Sequence, residues 1–325
     1  MLFRSHFDYS NAHQGRTTRN VADWQIDLGN YCNGGCVYCS PDASSTLATE
    51  FKQLGLIDQL PTNSWCDDPV LLEKFIVDLN SNTDVKYLHF IGGETLITPG
   101  FKTILNAVVN TGQSKNITVG FTTNLTVWKS DIIELLEKFE QVHVGLSIET
   151  LTPVNDYVRY PSRGAQTKTL LDRWVSIGQE RGWLIQLRNT VSCLTVAELP
   201  SLYNYAWDNN VSVESCNFLY RPDFMRVNVL PKKYRKQIQQ KFQQWLDQHP
   251  MEVNEQVVNT RDPNLARLQI YQDAKSYIRY LDEYPEEPEL LPKLVEFLKK
   301  LESNRGNCIL DYLPDYEELF RSAGY

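Results

Sequence analysis

Residues 23–39, DWQIDLGNYCNGGCVYC, decide how the rest of the chain is read. A short run with the look of a strand, 23–28, passes directly into three cysteines, Cys32, Cys36 and Cys39, on a glycine-containing loop. Outward from it, the strand signal returns at 85–91 (VKYLHFI), 117–122 (ITVGFT), 142–148 (VHVGLSI), 184–192 (LIQLRNTVS) and 211–219 (VSVESCNFL). Between these runs the apolar residues take helical spacing. Residues 69–80 place Val70, Leu71, Phe75, Ile76 and Leu79 on one stripe behind an Asp67 or Asp68 cap, and 101–110, 129–139, 166–178 and 197–207 read the same way. Strand and helix in alternation predict parallel pairing through right-handed crossovers. Six units over roughly 200 residues fall short of the eight that close a barrel. The predicted fold class is therefore α/β, a partial (β/α)6 TIM-like barrel with a helical C-terminal region.

After residue 229 the strand signal stops. Residues 231–247, 263–282, 289–303 and 314–322 are helical in pattern, punctuated by Pro285, Pro288 and Pro314. The predicted division is an N-terminal arm (1–21), the partial barrel (22–228) and a helical C-terminal subdomain (229–325), with no repeat or low-complexity segment. The first unit is irregular. About twenty-five residues separate its cysteines from the next clear helix, an insertion at the carboxyl end of a strand, where sites are built.

The 325 residues are 42% hydrophobic, ample for a buried core, and carry a net charge of −8. That balance disfavours a nucleic-acid coat, which needs a positive face. No apolar run approaches the ~18 residues of a membrane span, and the first twenty residues lack the apolar stretch of a secretory signal. The expectation is a soluble cytoplasmic protein without membrane contact. Seven cysteines are too few, and odd in number, for a disulfide scaffold. Three of them within eight residues point to metal.

The spacing C-x3-C-x2-C offers three soft thiolates, which select zinc, copper(I) or an iron–sulfur cluster. Structural zinc takes four protein ligands, and only three are local. A zinc knot completed by Cys66, making a zinc-stabilised interaction protein with no turnover, is one alternative; it leaves the glycine and carboxylate motifs downstream without a role. A [4Fe–4S] cluster on three cysteines keeps one iron open.

Downstream, Gly92-Gly93-Glu94 ends the second strand, Thr123-Asn124 follows the third, and Ser147-Ile148-Glu149 ends the fourth. Gly92 and Gly93 leave no side chain between the backbone and a bound group, so carbonyls would reach an ammonium, and Glu94 adds a negative charge beside it. Asn124, Ser147 and Glu149 offer hydrogen-bonding groups where parallel strands end. Each has a plainer reading too: Asn124 as a turn residue, Glu149 as a helix cap, Arg159 as an ion-pair partner.

With the cysteine spacing, these segments resemble the radical S-adenosylmethionine (SAM) superfamily over roughly residues 22–220. The resemblance implies a [4Fe–4S] cluster on Cys32, Cys36 and Cys39. It also implies SAM held by Gly92, Gly93, Glu94, Asn124, Ser147, Glu149 and Arg159, with Tyr38 near the adenine. The implied chemistry is reductive cleavage of SAM to a 5′-deoxyadenosyl radical that abstracts hydrogen, fed by a flavodoxin- or ferredoxin-type reductant. Similarity to the SPASM/twitch branch implies a peptide or protein substrate and an oxidoreductase or transferase activity, with a nucleotide or other small molecule as the alternative. Cys66, Cys193, Cys216 and Cys308 are too dispersed for an auxiliary cluster. Arg188 and Asn189, and Asn217, Tyr220 and Arg221, are candidate substrate readers, half of them on the outward face by pleat geometry. His89 and His143 read as core histidines, Cys193 and Cys216 as buried thiols, and the basic run 232–241 as a solvated helix face.

Overall fold

Six short strands pair in sequence order into one parallel sheet: β1 (Asp23–Asp27), β2 (Tyr87–Ile91), β3 (Thr118–Thr123), β4 (Gln141–Ser147), β5 (Leu184–Arg188) and β6 (Ser212–Val213). The structure is a computed structural model and describes residues 20–61, 65–251 and 264–325. The expected N-terminal arm lies outside these apart from its last two residues, as does residue 263 of the expected second tail helix. In the sheet Tyr87 stands beside Thr118, Thr118 beside Gln141, His143 beside Leu184, and Gln186 beside Ser212. β1 and β6 do not pair, so the barrel is open.

Pleat alternation sorts the two faces. Leu88 and Phe90, Val119 and Phe121, Val142, Val144 and Leu146, and Leu187 are all buried. They face a layer built by α2 (Pro69–Ser81), α3 (Pro99–Asn110), α4 (Ser130–Leu136), α6 (Gly164–Arg181) and α7 (Leu199–Asn209). The alternate residues, among them Tyr87, His89, Thr122, His143, Ser147, Gln186 and Arg188, line the lumen. Asp68 caps α2, its Oδ1 accepting from the amides of Val70 at 2.9 Å and Leu71 at 3.2 Å. The expected apolar stripe of α2 is only partly covered: Leu79 is buried, whereas Val70 and Leu71 are exposed. α2 covers an edge strand and meets it mainly through Phe75, which packs on Trp24 and Trp65.

Two helices lie where none was expected, α1 (Ser45–Gln53) after the cysteines and α5 (Val154–Val158) after β4. The last two strands are shorter than expected. β5 ends at Arg188, because the Thr190 amide turns to the Glu149 carboxylate. β6 ends before Cys216, whose φ of 46° is left-handed, and pairing resumes only as a bridge between Val191 and Phe218.

The tail holds α8 (Lys232–Gln248), α9 (Leu265–Glu283), α10 (Leu291–Arg305) and α11 (Glu317–Ser322). Its buried residues belong to the same apolar core as the barrel: Phe242 of α8 stacks on Tyr277 of α9 at 5.3 Å, and Tyr203 of α7 packs on both. One member of the basic run departs from the solvated face expected of it. Arg235 is 1% exposed, and its guanidinium donates to the carbonyls of Asn228, Leu230, Tyr284 and Pro285. Four carbonyl acceptors satisfy its donors, and the Glu286 and Glu287 carboxylates favour its charge against burial. Among the described residues no helix is long and apolar enough to cross a membrane.

Candidate functional site

The cysteine loop lies across the carboxyl end of β2 and is held there by backbone bonds. The Gly93 amide donates to Gly29 O at 2.7 Å and the Glu94 amide to Tyr31 O at 2.9 Å. A Cβ on Gly92, whose φ is 129°, would stand 2.5 Å from Gly29 O, and one on Gly93 would collide with the Tyr31 carbonyl. The glycine pair is thus needed for close approach of the loop itself, a different reason from the clearance for a ligand expected from sequence. On the other flank the amides of Gly35 and Val37 donate to Tyr160 O and Val158 O at 2.7 and 2.8 Å. The Ser44 hydroxyl donates to Gly34 O, and Thr46 to Cys32 O at 2.7 Å.

Within this frame the sulfurs gather. A Cβ on Gly34 would lie 3.7 Å from Cys32 Sγ and 3.8 Å from Cys36 Sγ, and the Cys39 amide donates to Cys36 O at 3.0 Å. Burial raises the Cys32 thiol, with the Cys36 sulfur and Glu94 adding to it against a hydrogen bond from the Gly34 amide. Burial, then the Cys36 and Cys32 sulfurs, push Cys39 up to about 12. Thiols that oppose one another's ionisation in this way become thiolates when a cationic centre sits among them. The donor set is three soft sulfurs. Cys66 stands apart, its thiol donating to Leu28 O at 2.9 Å and lying against Gly100. Among the described residues no three His, Cys, Asp or Glu side chains, these cysteines included, close on a single metal ion, so no mononuclear zinc site is preformed. Three local thiolates without a fourth protein ligand fit a [4Fe–4S] cluster with one open iron better than a closed zinc site.

Two buried carboxylates flank the sulfurs. Glu94, 1% exposed, accepts from Thr123 Oγ1 at 2.8 Å, the Leu96 amide at 3.1 Å and the Asn124 amide at 2.6 Å. Burial holds its carboxyl above the usual value against these donors. It therefore locks the ends of β2 and β3 together before any ligand is considered. Glu94→Gln places an amide N–H against one of those donors and is expected to lower the unfolding free energy by roughly 2 kcal/mol, measured by urea titration of the metal-free chain. Unchanged stability would mean that this lock is dispensable. Glu149, also 1% exposed, accepts from Arg159 Nη1 at 2.8 Å and from the Thr190 amide, while its own amide donates to Asn155 Oδ1 at 3.0 Å.

Arg159 lies in the same buried group. Burial works against its charge, but the Cys36 sulfur, Glu149 and Tyr38 outweigh this and raise it. The Tyr38 hydroxyl is buried beside Glu149 and Arg159. Asn124 donates to Asn33 Oδ1 at 2.8 Å and accepts from Thr126, tying the cysteine loop to the end of β3. Ser147 ends β4 on the lumen face. The structure therefore brings together Cys32, Cys36, Cys39, Tyr38, Gly92, Gly93, Glu94, Asn124, Glu149 and Arg159 at the carboxyl ends of β1–β4, with Ser147 at its lower edge.

Arg188, beside Ser147 in register, and Asn217 line a cavity of about 700 Å³ with Tyr87, His89, His143 and Glu214. Tyr220 does not join them; it is 70% exposed, its ring under the Arg226 guanidinium. Asn189 is buried beside Tyr277 and does not line the cavity. His89 and His143 differ from the core histidines expected: they face the cavity, His89 stacked on Tyr87 at 5.8 Å and His143 tilted against it at 5.7 Å. Their signal was the alternation of Tyr87 and His89 with Leu88 and Phe90. A second group escaped the sequence reading altogether. Arg305 of α10 donates to Gly35 O at 2.7 Å and to both oxygens of Glu50 in α1, and Glu302 accepts from Tyr157 of α5 at 2.8 Å.

Residues 26–186 match the family described as the Radical SAM superfamily. No curated protein matches the chain. Three solved structures are similar in fold. Streptococcus suis SuiB bound to precursor peptide SuiA is 15% identical with a TM-score of 0.44, over 71% of this chain and 47% of that one. Native anSMEcpe with bound AdoMet is 17% identical with a TM-score of 0.45, over 69% and 60%. The radical SAM methyltransferase TsrM from Kitasatospora setae, with tryptophan substrate and a SAM analog bound, is 15% identical with a TM-score of 0.43, over 60% and 35%. The chain thus spans about half the length of the first of these. The family match runs from β1 into β5 and contains the three cysteines, the Gly92–Glu94 turn and both buried carboxylates; residues 26–186 of this chain are a domain of the radical SAM superfamily.

Proposed function

We propose that this chain is a radical SAM enzyme acting on a peptide or protein substrate. The observation that carries the reading is the loop of three thiols, with no fourth protein ligand among the described residues, pinned beside two buried carboxylates at the carboxyl ends of the strands. Cys32, Cys36 and Cys39 would hold a [4Fe–4S] cluster, and the chemistry supplied there is reductive cleavage of SAM to a carbon radical that takes hydrogen from the substrate. Gly92, Gly93, Glu94, Asn124, Ser147, Glu149 and Arg159 would hold SAM, with Tyr38, buried beside Glu149 and Arg159, near the adenine. Arg159, kept charged by its neighbours, offers the cation for a carboxylate. Glu149 and Glu94 act chiefly by orientation, since their oxygens are already engaged by protein donors. The lumen below, about 700 Å³ in volume, has room for a substrate side chain. The electron would come from a flavodoxin- or ferredoxin-type donor. Anaerobic reconstitution should yield a brown protein with about four irons per chain that converts SAM to 5′-deoxyadenosine under dithionite. A colourless protein that retains one zinc and leaves SAM intact would defeat the reading.

A further inference from the structure

Arg188 and Glu214 are neighbours that ought to pair and do not. Gln186 stands beside Ser212 and Leu187 beside Val213, and the Glu214 amide donates to Leu187 O at 2.8 Å. The next residues in register, Arg188 and Glu214, therefore project side by side from adjacent strands into the same cavity, and both line it. Opposite charges so placed on one sheet face normally close on each other. Instead the guanidinium swings the other way, across β4, to reach Thr122 Oγ1 of β3 at 3.2 Å. Gly145 makes that path possible, since a Cβ there would stand 2.6 Å from Arg188 Nε and 2.7 Å from its Cδ. Nε itself is buried and lacks an acceptor.

The rest of the wall carries no formal charge: Phe121, Val144 and Leu184 make it partly apolar, and polar side chains complete it. Burial, with Arg188 and His143 adding to it, lowers the His89 imidazole, and burial lowers His143, so both are neutral at pH 7. Gln186, Ser212, Ser215, Asn217 and Gln269 complete the polar wall. Among the described residues lining the cavity, Arg188 and Glu214 alone carry formal charge, one of each sign. A half-enclosed space with low-dielectric walls strengthens both fields. An apolar ligand would leave two charges unanswered, and a purely anionic one would meet Glu214.

We infer that this cavity binds a zwitterionic portion of the substrate, its carboxylate on Arg188 and its ammonium on Glu214, and that these two residues determine specificity. The inference rests on the lumen being the substrate chamber of the proposed enzyme. Gly145 is a positioning residue, acting through Arg188. The recognisable chemical class is an amino-acid-like unit, or an acidic group beside a basic one in a peptide.

The test uses the full chain with γ-aminobutyrate, butyrate and butylammonium as probes, read by the imidazole NMR signals of His89 and His143. γ-Aminobutyrate should shift these signals saturably, with an affinity at least tenfold above either single-charge probe. Arg188→Gln and Glu214→Gln should each weaken it at least tenfold; Arg188→Gln should abolish the butyrate response, and Arg188→Lys should keep it. No saturable shift, or equal affinity in the folded Arg188→Gln protein, overturns the inference; if that variant does not fold, Glu214→Gln carries the same test. Cleavage of SAM under dithionite, measured on the same preparation without substrate, separates the two levels. Cleavage without probe binding defeats only the zwitterion inference, and probe binding without iron or cleavage defeats only the enzyme reading.

Discussion

Replacing Cys32, Cys36 or Cys39 with alanine is expected to abolish the visible absorbance of the reconstituted chain and to reduce SAM cleavage to background. Cys308→Ala should leave both intact. Two remaining thiolates cannot hold a cluster that needs three, and no spare sulfur is placed to substitute. Cys66 is engaged with the Leu28 carbonyl behind β1, Cys193 is buried with its thiol pushed up to about 12, Cys216, half-buried rather than the buried thiol expected, lines the cavity with its thiol toward Asp273 at 3.8 Å, and Cys308 lies against the Tyr325 hydroxyl at 3.2 Å. The loop keeps its shape in these variants, because its restraints are backbone bonds to Gly29, Tyr31, Val158 and Tyr160 rather than sulfur contacts. Circular dichroism and urea midpoints of the metal-free variants should therefore match the parent within ~0.5 kcal/mol. Equal loss of colour in Cys308→Ala would remove the assignment of the three cysteines.

Which parts of this arrangement were legible depends on how local their cause is. The strands were readable because each alternates a buried residue with a lumen residue, as Leu88 and Phe90 do with Tyr87 and His89. The cysteine triad was readable from spacing alone. Parity does not say which face looks into the lumen, so His89 and His143 passed for core residues. The role of the glycine pair was misjudged for a similar reason: the obstacle at Gly93 is the Tyr31 carbonyl, some sixty residues earlier in the chain. α1 and α5 are short, and α1 is held by its Ser44 cap and by tertiary packing rather than by a long apolar stripe. Arg235 belongs to a basic run, yet its surroundings come from carbonyls at 228–230 and 284–285. The pairing of Glu50 with Arg305, 255 positions apart, leaves no trace in either local sequence.

That last pairing is where the helical tail reaches the site, and removing it should have a large effect on stability. Arg305 and Glu50 have side chains 2% and 8% exposed. The guanidinium donates to both carboxylate oxygens, to Gly35 O between the first two cysteines, and lies over the Tyr160 ring at 4.6 Å. Asn304 adds a bond to Glu50 at 3.1 Å. Arg305→Ala strands a buried carboxylate and is expected to cost about 3–5 kcal/mol at neutral pH, measured by urea titration. Burial raises the Glu50 carboxyl, but the bonds from Arg305 and Asn304 outweigh it and hold the carboxyl below its ordinary 4.5. A depressed carboxyl contributes stability above its unfolded value and loses it as pH falls through the folded one. The gap between parent and variant should therefore narrow as pH falls below the carboxyl's ordinary value. Adding Glu50→Gln to Arg305→Ala removes the stranded charge and should recover part of the loss, which a variant that merely emptied space would not show. Because Gly35 O also loses its donor, the reconstituted variant should give up iron to a chelator several-fold faster. If Arg305→Ala melts like the parent at neutral pH and holds iron as long, then α10 is not what steadies the cysteine loop.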